Sequence, residues 1–170
     1  ISLLSIEPEH EWALIEMGMN HLGELKELCK IAEPDVAVVT FVGASHLEGL
    51  GSIEGVAKGK SEIYSASSPE AIRIYNLDNE HTKKMYEEGE YRNKLTFSTS
   101  DENADLCIRL KTCGVDFIEV EGRIGQVKGA ASIPVFGAHN LTNILVACAV
   151  SWAAGVEENK IWESLPFCQT

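Results

Sequence analysis

Basic residues are scarce in this chain of 170 residues. It has 14 lysines and arginines against 26 aspartates and glutamates, which gives a net charge of −12. A general nucleic-acid binder needs a basic surface to face the phosphates, so the composition excludes that class. An acidic protein that handles anionic substrates must do so locally, through a helix terminus or bound cations.

Long apolar runs and paired cysteines are also missing. No run reaches the ~18–20 residues that a membrane span requires. The cysteines number five, an odd count, and no CxxC pair occurs, so reduced and buried thiols are predicted rather than a disulfide framework or a zinc site. The first residues lack an initiator Met, a basic stretch and a cleavage site. We therefore expect no signal peptide and a soluble, cytoplasmic protein.

The composition that is present is typical of a globular domain, with 45% apolar and 24% charged residues. Strands are predicted at residues 12–17, 36–42 and 72–75, because these are short and almost continuously apolar runs. Helices are predicted over 22–32, 52–64 and 80–88. Such alternation favours a parallel sheet with helices on both faces.

The pattern changes after about Lys94. Short alternating runs separated by glycines predict an antiparallel side sheet over about 95–135. A long apolar helix over 138–154 and a short helix over 157–165 follow. The predicted fold class is therefore α/β: a mostly parallel sheet flanked by helices, with a small antiparallel side sheet.

Four polar clusters could carry chemistry. They occupy residues 16–21, 46–52, 57–63 and 137–143. The first two follow predicted strands, and ligands of open α/β sheets bind at the carboxyl ends of the strands. Each cluster also has a structural interpretation: Glu16 or Asn140 as a helix cap, His46 as an exposed loop residue, and the lysines as a solvated helix face.

The order and spacing of these clusters resemble the Mur ligase family of bacterial peptidoglycan synthesis. The matching stretches are ALIEMGMNHLGE (13–24), SHLEGLGSIEGVAKGKSEIY (45–64), NLDN (76–79) and GAHNLTN (137–143). The resemblance implies the central domain of an ATP-dependent amide ligase that works through an acyl phosphate. The second stretch favours the member that adds D-Ala-D-Ala to UDP-MurNAc-tripeptide.

The resemblance also assigns roles to individual residues. Glu16 and His46 match family Mg²⁺ ligands, and Lys60 matches a lysine carried as a carbamate that contacts the metal. The three form the implied catalytic and metal-binding set. Carbamylation requires a lowered lysine pKa, whereas Lys58 is expected to be an ordinary surface lysine. The implied nucleotide-binding residues are Asn140, Asn143, His139, Asn76 and Asp78, and the implied substrate-binding residues are Asn20 and Ser52.

The chain departs from the family in several places. No Gly-rich phosphate loop precedes Glu16, since GKS at 59–61 lacks the required spacing. Phe41 stands where the family often has Asn, which removes a polar contact. The N-terminal UDP-substrate domain and the C-terminal domain have no counterpart. We therefore interpret residues 1–170 as a partial central ATP-binding domain that is inactive alone, with an exposed sheet edge prone to self-association.

Three alternatives remain. One is another ligase of the superfamily, such as folylpolyglutamate synthase, although HLEGLGS at 46–52 fits it less well. Another is a non-catalytic module with the same fold. The last is a plain α/β domain, in which Glu16, His46 and Lys60 would lie far apart.

Overall fold

A computed structural model of the chain describes residues 5–44 and 47–168. Its strands are β1 (Val36–Val39), β2 (Ile72–Asn76), β3 (Lys94–Ser98), β4 (Leu106–Cys113), β5 (Ile118–Ile124) and β6 (Val127–Ile133). Its helices are α1 (Glu24–Ala32), α2 (Leu47–Leu50), α3 (Ile53–Ala66), α4 (Glu80–Glu88), α5 (Asn140–Ala153) and α6 (Glu158–Ser164), with a 3₁₀ turn at Leu165–Phe167. None of the helices in these two ranges is long and apolar enough to cross a bilayer.

The six strands form one sheet in chain order, which confirms the predicted fold class. β1 to β4 pair in parallel, and β5 and β6 are antiparallel additions to the same sheet. Antiparallel pairing therefore begins at Leu106, rather than near residue 95. The sequence analysis assigned no strand to β3, because its KLTFS sequence is short and half polar. Its Thr96 and Ser98 are nevertheless buried.

The strand predicted over residues 12–17 is wrong. This segment has no regular secondary structure, and Trp12 and Leu14 are exposed. A strand needs a neighbour to receive its backbone hydrogen bonds, and no described strand pairs with this segment. β1 forms one edge of the described sheet instead, and β6 forms the other. The predicted self-association depends on the β1 edge and stays a prediction.

The core consists of two apolar clusters on opposite faces of the sheet, because successive strand residues point to opposite sides. Ile74, Phe97 and Leu145 belong to the cluster under α5 and α6. Val39 and Tyr75 belong to the cluster under α1 and α3. The parallel strands are thus covered on both faces, as their apolar sequences predicted.

Two buried polar side chains fasten α3 to the sheet. The Tyr64 hydroxyl accepts from the Val39 N–H (3.0 Å) and donates to the Ile74 carbonyl (2.6 Å), and its burial raises its pKa. The Arg73 guanidinium also lies over the Tyr91 ring, 4.1 Å from its centroid. It donates to four carbonyls at 2.7–3.3 Å, those of Tyr64, Ser67, Ser68 and Ala71.

All five cysteines are free thiols. Cys29, Cys107 and Cys148 are buried, which confirms the prediction for these three. Cys113, in contrast, is exposed at the end of β4, and Cys168 is half-buried.

Candidate active site at the carboxyl edge of the parallel strands

Side-chain amides tie together the chain segments that leave β1 and β2. The Asn76 Nδ2 donates to the Thr40 carbonyl (3.0 Å), and the Asn79 Nδ2 donates to the Val42 carbonyl (3.0 Å). The residues after β2 therefore hold the segment after β1, which leads into residues 45–52. The carboxyl edge of the sheet is fixed where α/β proteins bind ligands.

Asp78 connects the end of β2 to the end of β3. Its carboxylate accepts from the Thr99 N–H and hydroxyl (both 2.7 Å) and, through a short hydrogen bond, from the Ser98 hydroxyl. Asn76 in turn accepts from the Asp78 N–H (2.9 Å). Both Asp78 oxygens are thus engaged by the protein, so any nucleotide contact by this residue would add to a structural role.

Lys60 projects from α3 toward the end of β1. Its Nζ donates to the Phe41 carbonyl (2.6 Å), and the side chain is half-buried. Burial lowers the pKa of Lys60, as the sequence analysis required for a carbamate-forming lysine. Lys58, two residues away on the same helix, is exposed, which confirms it as a surface lysine.

Glu16 and Lys60 line the same cleft. The cleft has a volume of about 460 Å³ and lies between residues 14–19, the end of β1 and α5. Glu16 itself is exposed. Two of the three predicted catalytic residues therefore line one cleft, whereas His46 lies outside the described residues. The shared cleft favours the catalytic interpretation of Glu16 and Lys60 over a plain α/β domain, and their roles stay predictions.

The side chains of this cleft would suit Mg²⁺ if Lys60 carried a carbamate. Mg²⁺ prefers oxygen ligands, and the Glu16 carboxylate supplies them. An ammonium at Lys60 would repel the metal, whereas a carbamate there would add two oxygens. Over residues 5–44 and 47–168, no three His, Cys, Asp or Glu side chains form a metal cluster. Among the described residues, a carbamate at Lys60 would therefore be the second anionic oxygen donor of this cleft beside Glu16.

Asn140 does not cap the N-terminus of α5, although the sequence predicted it as a cap. The helix begins at Asn140, and His139 occupies the N-cap position without a side-chain cap, so Asn140 is not the N-cap. Its Nδ2 donates back to the Phe136 carbonyl (2.7 Å), and its Oδ1 accepts from the Asn143 Nδ2 (3.2 Å). Gly137 has φ +84°, a conformation that favours glycine and permits this turn.

Phe136 is a residue that the sequence analysis missed. Its side chain is 66% exposed, and its ring lies edge-on to the His139 ring with centroids 6.5 Å apart. Val146 of α5 lines the cleft together with Thr40 at the end of β1. The start of α5 at Asn140 precedes Val146, so it lies toward the carboxyl edge of the sheet. The signal in the sequence was an aromatic residue directly before Gly137.

Asn20 and Ser52, the predicted substrate residues, both have local structural roles. The Ser52 Oγ accepts from the Gly55 N–H (3.1 Å) and caps α3. The Asn20 N–H donates to the Glu24 carboxylate (2.6 Å). A Cβ added at Gly49 would lie 2.2 Å from the Asn20 carbonyl oxygen, so the loop before α1 touches α2.

Comparison with known proteins covers all four motifs named in the sequence analysis. Residues 2–151 match the Mur ligase middle domain. The UDP-N-acetylmuramoyl-tripeptide–D-alanyl-D-alanine ligase of Escherichia coli (strain K12) is 35% identical over 158 residues, which cover 91% of this chain and 34% of that protein.

Solved structures agree with the sequence match. MurF from Acinetobacter baumannii has a TM-score of 0.88 at 28% identity, covering 99% of this chain and 36% of that one. The MurF ligase from Thermotoga maritima in complex with ADP has a TM-score of 0.76 at 26% identity, covering 88% and 34%. The chain spans about a third of the length of these relatives. It belongs to the Mur ligase family, whose middle domain it matches over most of its length.

Proposed function

We propose that the protein carrying this chain is a bacterial, cytoplasmic, ATP-dependent ligase that joins D-Ala-D-Ala to UDP-MurNAc-tripeptide in peptidoglycan synthesis. The similar proteins bear the name of this ligase. The structural observation that carries the proposal is the meeting of Glu16 and Lys60 in one cleft, beside the carboxyl edge of parallel strands.

The proposed reaction has two steps. ATP transfers its γ-phosphoryl group to the carboxylate of the tripeptide, and ADP leaves. The amine of D-Ala-D-Ala then attacks the carbonyl carbon of this acyl phosphate; the amide bond forms, phosphate departs and the amine loses a proton. Phosphoryl transfer depends mainly on positioning and charge stabilisation, so the protein's task is to hold and orient the reactants.

Magnesium would be held by Glu16, His46 and the carbamate of Lys60, and when bound it would neutralise charge on the phosphate oxygens. Burial prepares Lys60 for this role, because CO₂ adds only to the neutral amine and the lowered pKa increases that fraction. The addition forms an N–C bond and releases a proton. The carbamate nitrogen retains one N–H for the Phe41 carbonyl, which now accepts from the lysine.

The nucleotide base is placed at the start of α5 in this proposal. Asn140 and Asn143 offer amide donors and acceptors, and His139 lies beside them. The Asn143 amide oxygen accepts no hydrogen bond from the residues that the structure describes, and the side chain is exposed. It is therefore available to an exocyclic amino group. Asn76 and Asp78 would contribute from the end of β2, and Asn20 and Ser52 would face the UDP substrate.

The test is ADP release by the full-length protein, measured with and without D-Ala-D-Ala and UDP-MurNAc-tripeptide. Glu16→Gln and Lys60→Ala should each lower kcat/KM by about 100-fold or more, which is typical when a charge-stabilising group is lost. Lys58→Ala is the matched control and should stay within about twofold. A loss below about tenfold for Glu16→Gln, roughly 1.4 kcal/mol, would contradict its magnesium role.

The same assay separates the alternatives. Turnover with a folate and glutamate, but not with the peptide substrates, would identify a folylpolyglutamate synthase. A full-length protein that neither binds Mg-ATP nor releases ADP would be a non-catalytic module. The 170 residues alone are expected not to turn over, so D-Ala-D-Ala-dependent ADP release by this chain would contradict that part of the proposal.

A further inference from the structure

A second cleft lies on the part of the sheet that is farthest from β1. It has a volume of about 480 Å³ and is formed by β4, β5 and β6. Cys107, Gly122 and Gly129 line it together with the cationic residues Arg109, Arg123 and Lys128 and the acidic residues Glu102 and Glu121. β2 and β3 lie between these strands and β1, so this cleft is separate from the one that holds Glu16 and Lys60.

Strand register explains why cationic side chains converge here. Cys107, Arg123 and Lys128 are direct partners across β4, β5 and β6. Directly paired residues project from the same face of a sheet. Arg109 lies two residues beyond Cys107 and therefore shares that face. The small thiol leaves a depression, and the longer cationic side chains surround it.

Two of these cations have no carboxylate partner among the residues that the structure describes. The Arg123 guanidinium is held by the backbone carbonyls of Glu102, Ala104, Asp105 and Gly125. These bonds engage four of the five N–H donors of the guanidinium, so Arg123 offers an anion mainly its positive charge, which the carbonyls do not neutralise. Lys128 is exposed and forms no ion pair within the described ranges.

The carboxylates at the cleft do not cancel this charge. Glu102 pairs with Arg109 (2.8 Å), and Glu121 pairs with Lys111 (3.5 Å). The charges of Arg123 and Lys128 therefore remain in excess. In a protein of net charge −12, this is a local cationic region, and a guanidinium fixed in advance loses little freedom when a ligand binds.

Cys107 adds no opposing charge. Its side chain is 4% exposed, and burial raises its pKa; Arg109 and Arg123 lower it, whereas the Glu102 and Asp78 carboxylates raise it. The thiol therefore stays neutral near pH 7. An anion that enters the cleft meets two uncompensated cations and no thiolate.

We propose that the cleft bordered by Arg109, Arg123 and Lys128 is a binding site for the oxyanion group, phosphate or carboxylate, of a small molecule. The Lys128 ammonium would donate to such oxygens, and the fixed Arg123 guanidinium would add positive charge beside it. The volume lies within the roughly 300–1,000 Å³ typical of small-molecule sites. The proposal does not depend on the ligase activity.

The test uses the full-length protein without nucleotide or magnesium. Pyrophosphate and citrate are titrated separately, and the backbone amide signals of Gly122 and Gly129 are followed by NMR. Saturable shifts at both glycines are expected for at least one probe. The tighter probe distinguishes phosphate from carboxylate chemistry.

Two lysine variants provide the matched comparison. Lys128→Glu should weaken binding about tenfold, because it replaces an attractive charge with a repulsive one. Lys26→Glu makes the same charge change on the exposed face of α1 and should weaken binding less than about twofold. Both positions are exposed, so both variants are expected to fold.

Three results would overturn the proposal. Equal weakening by the two variants would show that the anion responds to the overall charge of the protein and not to the cleft. Shifts at Asn143 without shifts at Gly122 and Gly129 would place the anion at the candidate active site. Absence of saturable shifts with both probes would show that the cleft binds neither anion.

Discussion

Asn79 offers a sharp test of how the edge of the candidate site is held. The side chain is 8% exposed. Its Oδ1 accepts from the Thr82 N–H (3.2 Å) and caps α4, and its Nδ2 donates to the Val42 carbonyl (3.0 Å). One residue thus both starts a helix and ties the segment after β1 to the end of β2.

The expected cost of Asn79→Ala follows from these two bonds. Loss of an N-cap costs about 1 kcal/mol. Loss of a hydrogen bond to a buried carbonyl costs about 1 kcal/mol more. The free energy of unfolding should therefore fall by roughly 2 kcal/mol in urea titrations. Asn79→Asp keeps the cap oxygen but places a second acceptor against the Val42 carbonyl. It should therefore keep the cap energy and lose about 1 kcal/mol or somewhat more, the contribution of the hydrogen bond to Val42.

Asn103→Ala is the matched control for this experiment. Asn103 is exposed, and its side-chain amide donates to the Asp101 carboxylate (3.0 Å). Its removal should cost less than about 0.5 kcal/mol. If Asn79→Ala costs no more than Asn103→Ala, the tie at Val42 and the cap at Thr82 do not stabilise the edge as argued. In the full-length protein, Asn79→Ala should also lower ADP release, because Val42 leads into residues 45–52.

Three further predictions concern the fold and Lys60. Arg73→Met should lower the free energy of unfolding by about 3 kcal/mol or more in urea, since four carbonyls lose a charged donor; an effect below 1 kcal/mol would show that water replaces it. Gly129→Ala should cost about 1–3 kcal/mol in thermal unfolding, because the added Cβ would lie 2.3 Å from the Trp162 ring; unchanged stability would mean that the ring moves freely. After removal of dissolved CO₂, ligase activity should recover faster at higher pH when the concentration of dissolved CO₂ is held equal at each pH, since burial lowers the pKa of Lys60 and more of its amine is neutral as pH rises. A recovery rate independent of pH at equal dissolved CO₂ would contradict carbamylation.

Local sequence signals were sufficient where one element carries its own start and stop. α4 occupies Glu80–Glu88 as predicted, because Asn79 caps its first turn and Gly89 follows its last residue. The helix predicted over 52–64 is observed as α3, with Ser52 as its cap. The motif positions likewise led to Glu16 and Lys60, which the structure places in one cleft.

Pairing between distant strands could not be predicted in the same way. Residues 12–17 and Val36–Val39 are both short apolar runs, yet only the second forms a strand, because β2 lies beside it. Conversely, β3 has a weak strand sequence but lies between β2 and β4. A strand's stability comes from its neighbours, and a local pattern does not contain them.

The sequence by itself determined the fold class, the family resemblance and the acidity of this protein, since these follow from periodicity, motif order and composition. Only the tertiary structure decided where charge concentrates. Arg123 and Lys128 become neighbours through the β5–β6 register, and Cys107 and Arg109 join them from β4. Burial of Lys60 against the Phe41 carbonyl is likewise a tertiary result. Distances and desolvation depend on which surfaces the folded chain brings together, and composition sums over charges without placing them.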